Sequence, residues 1–149
     1  MNLSIIPTLL LAISLQGNPV QIEELLGKWQ LVYFEAIARL KNSPRFQNSS
    51  PAMKADLDYK IKNRLENTVY QFVEGDSLFY NDYQNRDVVQ KRAKIEISPD
   101  NVLTIFDGKS SRKAKIVSLE EDKLVLEPIS DGEGAGKLTF ERIIPEKKK

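Results

Sequence analysis

The sequence predicts an all-β fold, an eight-stranded antiparallel up-and-down barrel with one amphipathic helix between strands 1 and 2. Three observations lead there. From Leu26 onward the chain breaks into eight short segments rich in β-branched and aromatic residues, the signature of a meander. Six of the seven connections are short and carry turn residues, so neighbours in sequence pair antiparallel. The single long connection contains one helical pattern. Closing eight such strands into a barrel removes exposed edges, and a two-sheet Greek-key sandwich would need longer crossing connections.

Taken in order, the chain begins with an apolar run from Leu3 to Leu15, broken only by Ser4, Pro7, Thr8 and Ser14. It is too short to span a membrane, which takes about 20 residues. Its length suits a secretory h-region, and small or polar residues follow it, so residues 1–17 read as a signal peptide cleaved after Gly17 or Ser14. Residues 18–149 then form the folded domain, secreted or periplasmic. The absence of cysteine excludes a lipoprotein anchor.

The strands read as Leu26–Glu35, Thr68–Val73, Ser77–Tyr83, Val88–Ile97, Val102–Phe106, Arg112–Leu119, Lys123–Glu127 and Lys137–Ile144. Between them lie turn signals such as Glu74-Gly75-Asp76, Asp107-Gly108-Lys109 and Asp131-Gly132-Glu133-Gly134. In the long connection Ser50 suits an N-cap and Pro51 the first helical position, with Met53, Leu57, Ile61 and Leu65 at steps of four. This predicts a helix over Pro51–Glu66 whose Met/Leu/Ile stripe faces the sheet, supported by the pairs Asp56–Lys60 and Asp58–Lys62. The polar stretch from Leu40 to Ser49 reads as loop, and the Glu146–Lys149 tail as a solvated end.

Composition narrows the chemistry. The 149 residues are 41% apolar and 29% charged, with 22 Lys+Arg against 21 Asp+Glu and neither Cys nor His. That excludes His- or Cys-dependent nucleophile arrangements, disulfides, and zinc sites built on thiolate or imidazole. A net charge of +1 supplies no global field for nucleic acid. The basic runs Lys91, Arg92, Lys94 and Arg112, Lys113, Lys115 each divide between the two faces of a strand. Gly132 to Lys137 does not match a phosphate-binding loop, because Asp131 and Leu138 stand where Gly and Ser or Thr are required. No catalytic group, metal site or cofactor site emerges.

Gly27-Lys28-Trp29 opens the first strand, and Leu138-Thr139-Phe140-Glu141-Arg142 forms the last. This pattern resembles the G-x-W opening and late Arg of the lipocalins, and the chain is most similar to small secreted lipocalin-like proteins of bacteria. The resemblance implies that Trp29 fills the closed end of the barrel and that Arg142 lies across it, with Gly27 completing the plug. Arg142 shares strand parity with Leu138 and Phe140, and an inward Arg needs a partner; a guanidinium over an indole supplies one. The helix between strands 1 and 2 is a departure from lipocalins. Fatty-acid-binding proteins, in the same superfamily, carry helices there.

The candidate ligand-binding residues are Tyr33, Glu35, Tyr70, Phe72, Tyr80 and Phe106. The aromatics fall on different strands and mostly share parity with apolar neighbours, so they can line a common interior. Glu35 shares parity with Trp29 and Leu31 and points inward if the strand reaches it; otherwise it is exposed. An eight-stranded barrel is just wide enough to hold one small ligand or to be filled by its own side chains. The first case gives a non-catalytic carrier of a small hydrophobic molecule. The second gives a structural or protein-interaction module whose partner the sequence does not identify.

Overall fold

Alternation of apolar and polar side chains turns each strand into a half-buried ribbon, and eight such ribbons here share one interior. A computed structural model describes residues 18–84, 87–130 and 136–145. The strands are β1 (Gly27–Phe34), β2 (Val69–Val73), β3 (Ser77–Gln84), β4 (Asp87–Ile97), β5 (Val102–Phe106), β6 (Ser111–Leu119), β7 (Lys123–Ile129) and β8 (Leu138–Ile143). Each pairs antiparallel with its sequence neighbours, and β8 returns to β1, closing the barrel. The expected signal segment 1–17, the Asp131–Gly134 turn and the Glu146–Lys149 tail lie outside the described residues.

The inward positions form one apolar core that includes Leu31, Leu78, Ile95, Leu103, Leu124, Leu126 and Phe140. Turn chemistry holds the strand ends in register. Asn101 adopts φ 62, a left-handed conformation that asparagine tolerates. Its side chain accepts a hydrogen bond from Val20 N at 2.7 Å, and its carbonyl accepts one from Ile116 N at 2.8 Å. The segment ahead of β1 is thereby fastened to the β4–β5 turn. In the same turn a hydrogen bond from the Ser98 hydroxyl holds the Asp100 carboxyl below its usual range, and in the β5–β6 turn the backbone N–H of Ser110 does the same for Asp107.

The long first connection is more helical than its sequence suggests. Besides α4 (Pro51–Asn67) it contains α2 (Ala36–Asn42) and α3 (Pro44–Gln47), and a further turn, α1 (Ile22–Leu25), precedes β1. Leu40 to Ser49, read as loop, therefore belongs largely to α2 and α3. Pro44, which reads as a breaker, sits at the first position of α3, where its missing N–H costs nothing. The Ser43 side chain accepts from Phe46 N at 3.2 Å and donates to Leu40 O at 2.7 Å, joining the end of α2 to the start of α3.

Ser50 caps α4, accepting from Met53 N at 3.3 Å. The helix closes the barrel end where β1 finishes. Ile61 enters the core, Leu57 and Leu65 pack against it, and the Arg64 guanidinium lies 4.6 Å from the centre of the Phe34 ring. Met53, expected on the buried stripe, is instead 59% exposed, because the first turn of α4 overhangs the barrel. Asp56–Lys60 pairs at 2.7 Å as its spacing predicts. Asp58 turns from the expected Lys62 to Lys41 of α2, at 2.9 Å, and Lys62 reaches Glu66 at 3.9 Å. The Asp58–Lys41 contact links two helices, which spacing within α4 cannot reveal.

Candidate functional site

At the closed end, Trp29 of β1 lies opposite Arg142 of β8 in the strand register. Trp29 is fully buried, and its indole Nε1–H donates to Leu25 O at 2.8 Å. The Arg142 guanidinium stands 4.2 Å from the centre of the ring. It also donates to three carbonyls: Nε to Glu121 at 2.6 Å, Nη1 to Leu26 at 2.5 Å and Nη2 to Glu24 at 3.1 Å. Gly27 has φ +121, and a Cβ there would lie 2.8 Å from Arg142 Nη1. Only glycine suits both that backbone conformation and that approach.

Beside the plug the interior is occupied by rings, since Tyr70 stands opposite Trp29 and Phe72 opposite Gly27 in the strand register. Tyr70, Phe72 and Tyr80 are all buried and point inward. Tyr70 packs on Phe140 with centroids 4.8 Å apart, and meets Tyr80 at 5.8 Å and Phe72 at 6.4 Å edge to face. The Tyr80 hydroxyl is buried without a hydrogen-bond partner among the described residues. Leaving such a group unsatisfied costs about 1–3 kcal/mol, so Tyr80→Phe is expected to stabilise the fold by about 1 kcal/mol in urea denaturation. A loss of stability in that variant would show that the hydroxyl has a partner in solution.

The other three candidate residues do not reach the interior. Tyr33 is 42% exposed. Counting by twos from Trp29 places it inside, but the β1–β8 register shifts between Leu31 and Tyr33, and this irregularity gives Phe34 the inward place. Glu35 lies beyond the strand, exposed at the N-cap position of α2, with helical dihedrals of φ −60 and ψ −28. Phe106 is 38% exposed, because Leu103 and Ile105 are the inward residues of β5 and Phe106 has the parity opposite to Ile105.

An open site lies outside the strands, where α2 and α3 face the overhanging first turns of α4. A groove of about 550 Å³ runs between them, with an apolar wall of Leu40, Phe46, Ala52, Met53 and Leu57. The Lys41–Asp58 ion pair links α2 to α4, and the Ser43 bonds join α2 to α3. Three charged groups line it. Lys60 is paired with Asp56, whereas Arg45 has no carboxylate partner among the described residues. Lys54 sits nearby, its Nζ 5.8 Å from the centre of the Phe46 ring. Sequence reasoning missed this groove. The exposed Met53 at the end of the Leu57/Ile61/Leu65 stripe is its one trace in the sequence, and that trace has meaning only once α2 and α3 are in place.

A second cavity of about 500 Å³ gathers Glu35, Arg39, Glu127 and Gly136. Gly136 permits this, since a Cβ there would lie 2.7 Å from Glu35 Oε2. Among the described residues no three acidic side chains converge on a possible metal position, and no helix is long and apolar enough to cross a membrane. No protein-family model matches the chain, and no curated protein matches it either.

Proposed function

We propose that this is a lipocalin-like, exported, non-catalytic binding protein for a small, mostly apolar molecule, and that the ligand lies between the helices rather than among the strands. The observation that carries this reading is the groove of about 550 Å³ with its wall of Leu40, Phe46, Ala52, Met53 and Leu57. Its volume and composition, largely apolar with a few polar groups, suit a small-molecule site. The close packing of Tyr70, Phe72, Tyr80 and Phe140 favours the groove over the barrel interior. The Trp29–Arg142 plug supports the lipocalin-like reading, and the apolar run from Leu3 to Leu15 supports export.

Native mass spectrometry of protein from its host, followed by titration with a fluorescent fatty-acid analogue, tests this. Met53→Glu is expected to weaken binding at least about tenfold, or about 1.4 kcal/mol, without altering thermal stability, because Met53 is exposed. Undiminished binding by that variant would move the ligand elsewhere.

One observation favours a protein-interaction reading instead. β4 pairs with β5 only over Lys94–Ile97, so along Asp87–Ala93 its second edge has no strand partner among the described residues. An added strand from another protein could extend the sheet there. Lys91 and Arg92 on this stretch are the kind of charge that discourages such pairing.

A further inference from the structure

The charges around the helical groove specify its ligand more closely. On the reading that the groove is the binding site, we infer that the ligand is a monoanionic amphiphile, with its head group on the Arg45 guanidinium and its apolar part along Phe46, Met53 and Leu57.

Three observations converge. The first is the apolar wall itself, with the Arg45 side chain in the same lining. The second is the pairing pattern. Lys60 is neutralised by Asp56 at 2.7 Å, and Lys41 by Asp58 at 2.9 Å, which leaves Arg45 as the lining cation without a carboxylate partner among the described residues. A planar guanidinium offers two parallel N–H donors to a carboxylate or a phosphate ester, and such charge-assisted bonds are stronger than neutral ones. The third is charge segregation. Residues 36–67 carry seven Lys and Arg against Asp56, Asp58 and Glu66, a net +4, whereas the whole chain is +1. The remainder is therefore −3, so the positive charge is concentrated on the helical connection that carries the groove, and such a segregated charge raises the local concentration of anions.

The same head-group chemistry is presented by a free carboxylate amphiphile and by an anionic lipid in a bilayer. Calorimetric titration with decanoate and with decan-1-ol compares charged and neutral head groups on one chain length. The protein is expected to bind decanoate at least about tenfold more tightly than decan-1-ol, with the preference shrinking at high salt. Arg45→Gln, at an exposed position on a short helix, should bring the two affinities together, chiefly by weakening decanoate. Sedimentation with phosphatidylglycerol and phosphatidylcholine vesicles identifies the source. Arg45-dependent pelleting with phosphatidylglycerol, without monomeric decanoate binding, assigns the amphiphile to a membrane, and monomeric binding assigns it to solution.

Equal affinity for decanoate and decan-1-ol, or a preference that survives Arg45→Gln, overturns the head-group inference. The groove reading then still stands if Met53→Glu weakens both ligands. If Met53→Glu leaves both affinities intact, or if neither amphiphile nor vesicle binds, the groove reading fails and the inference fails with it.

Discussion

Replacing Trp29 with alanine is expected to cost about 3–5 kcal/mol of folding stability, the usual range for truncating a large buried aromatic. Trp29 is fully buried at the closed end, beneath Leu25, which is itself fully buried. Its loss leaves a void that the strands cannot collapse to fill, because β1 is held on both sides by β2 and β8. It also removes the donor to Leu25 O and the ring on which Arg142 rests. For a domain of this size, such a loss takes up a large part of a total of about 5–15 kcal/mol. Urea denaturation followed by far-ultraviolet circular dichroism measures it without relying on tryptophan fluorescence. A change below about 1 kcal/mol would mean that the closed end is loosely packed in solution.

Arg142→Ala is expected to cost about 1–3 kcal/mol. Three carbonyls, on Glu24, Leu26 and Glu121, lose their charged donor, and one face of the indole loses its cover. These acceptors belong to different segments, so the guanidinium fastens α1 and the β6–β7 turn to the barrel wall. Arg142→Lys should recover only part of the loss, since one ammonium cannot reproduce the planar fork that reaches all three. In a double-mutant cycle with Trp29→Ala the two changes are expected to be non-additive by about 0.5–3 kcal/mol, as for residues in direct contact. Full rescue by lysine, or simple additivity, would reduce Arg142 to a general positive charge near the turn.

Arg142's inward side is readable from β8, where alternation gives it the parity of Leu138 and Phe140, and the need of Gly27 for a positive φ fits its place two residues before Trp29. The same counting fails on β1 after Leu31. An irregularity in the ladder leaves no local mark in a stretch reading Leu31-Val32-Tyr33-Phe34, all of them good strand residues. Whether Tyr33 or Phe34 turns inward is decided by which register lets β1 pair with β8, a strand more than 100 residues away. Phe106 is a different kind of miss. The strand is correctly bounded, but its inward set is that of Leu103 and Ile105.

By itself the sequence determined the strand count, the hairpin order and hence the closed antiparallel barrel, along with the amphipathic helix between strands 1 and 2. These rest on periodicity, turn residues and caps, which act within a few positions along the chain. Tertiary structure alone decided how much of the interior is taken up by Tyr70, Phe72, Tyr80 and Phe140, where the stripe of α4 leaves Met53 uncovered, and how Leu40 and Phe46 come to face it. Side-chain packing across a barrel and the docking of helices depend on volumes and distances between residues far apart in the chain. The groove exists because α2 and α3, too short to be stable alone, are joined to each other by Ser43 and to α4 by the Lys41–Asp58 pair.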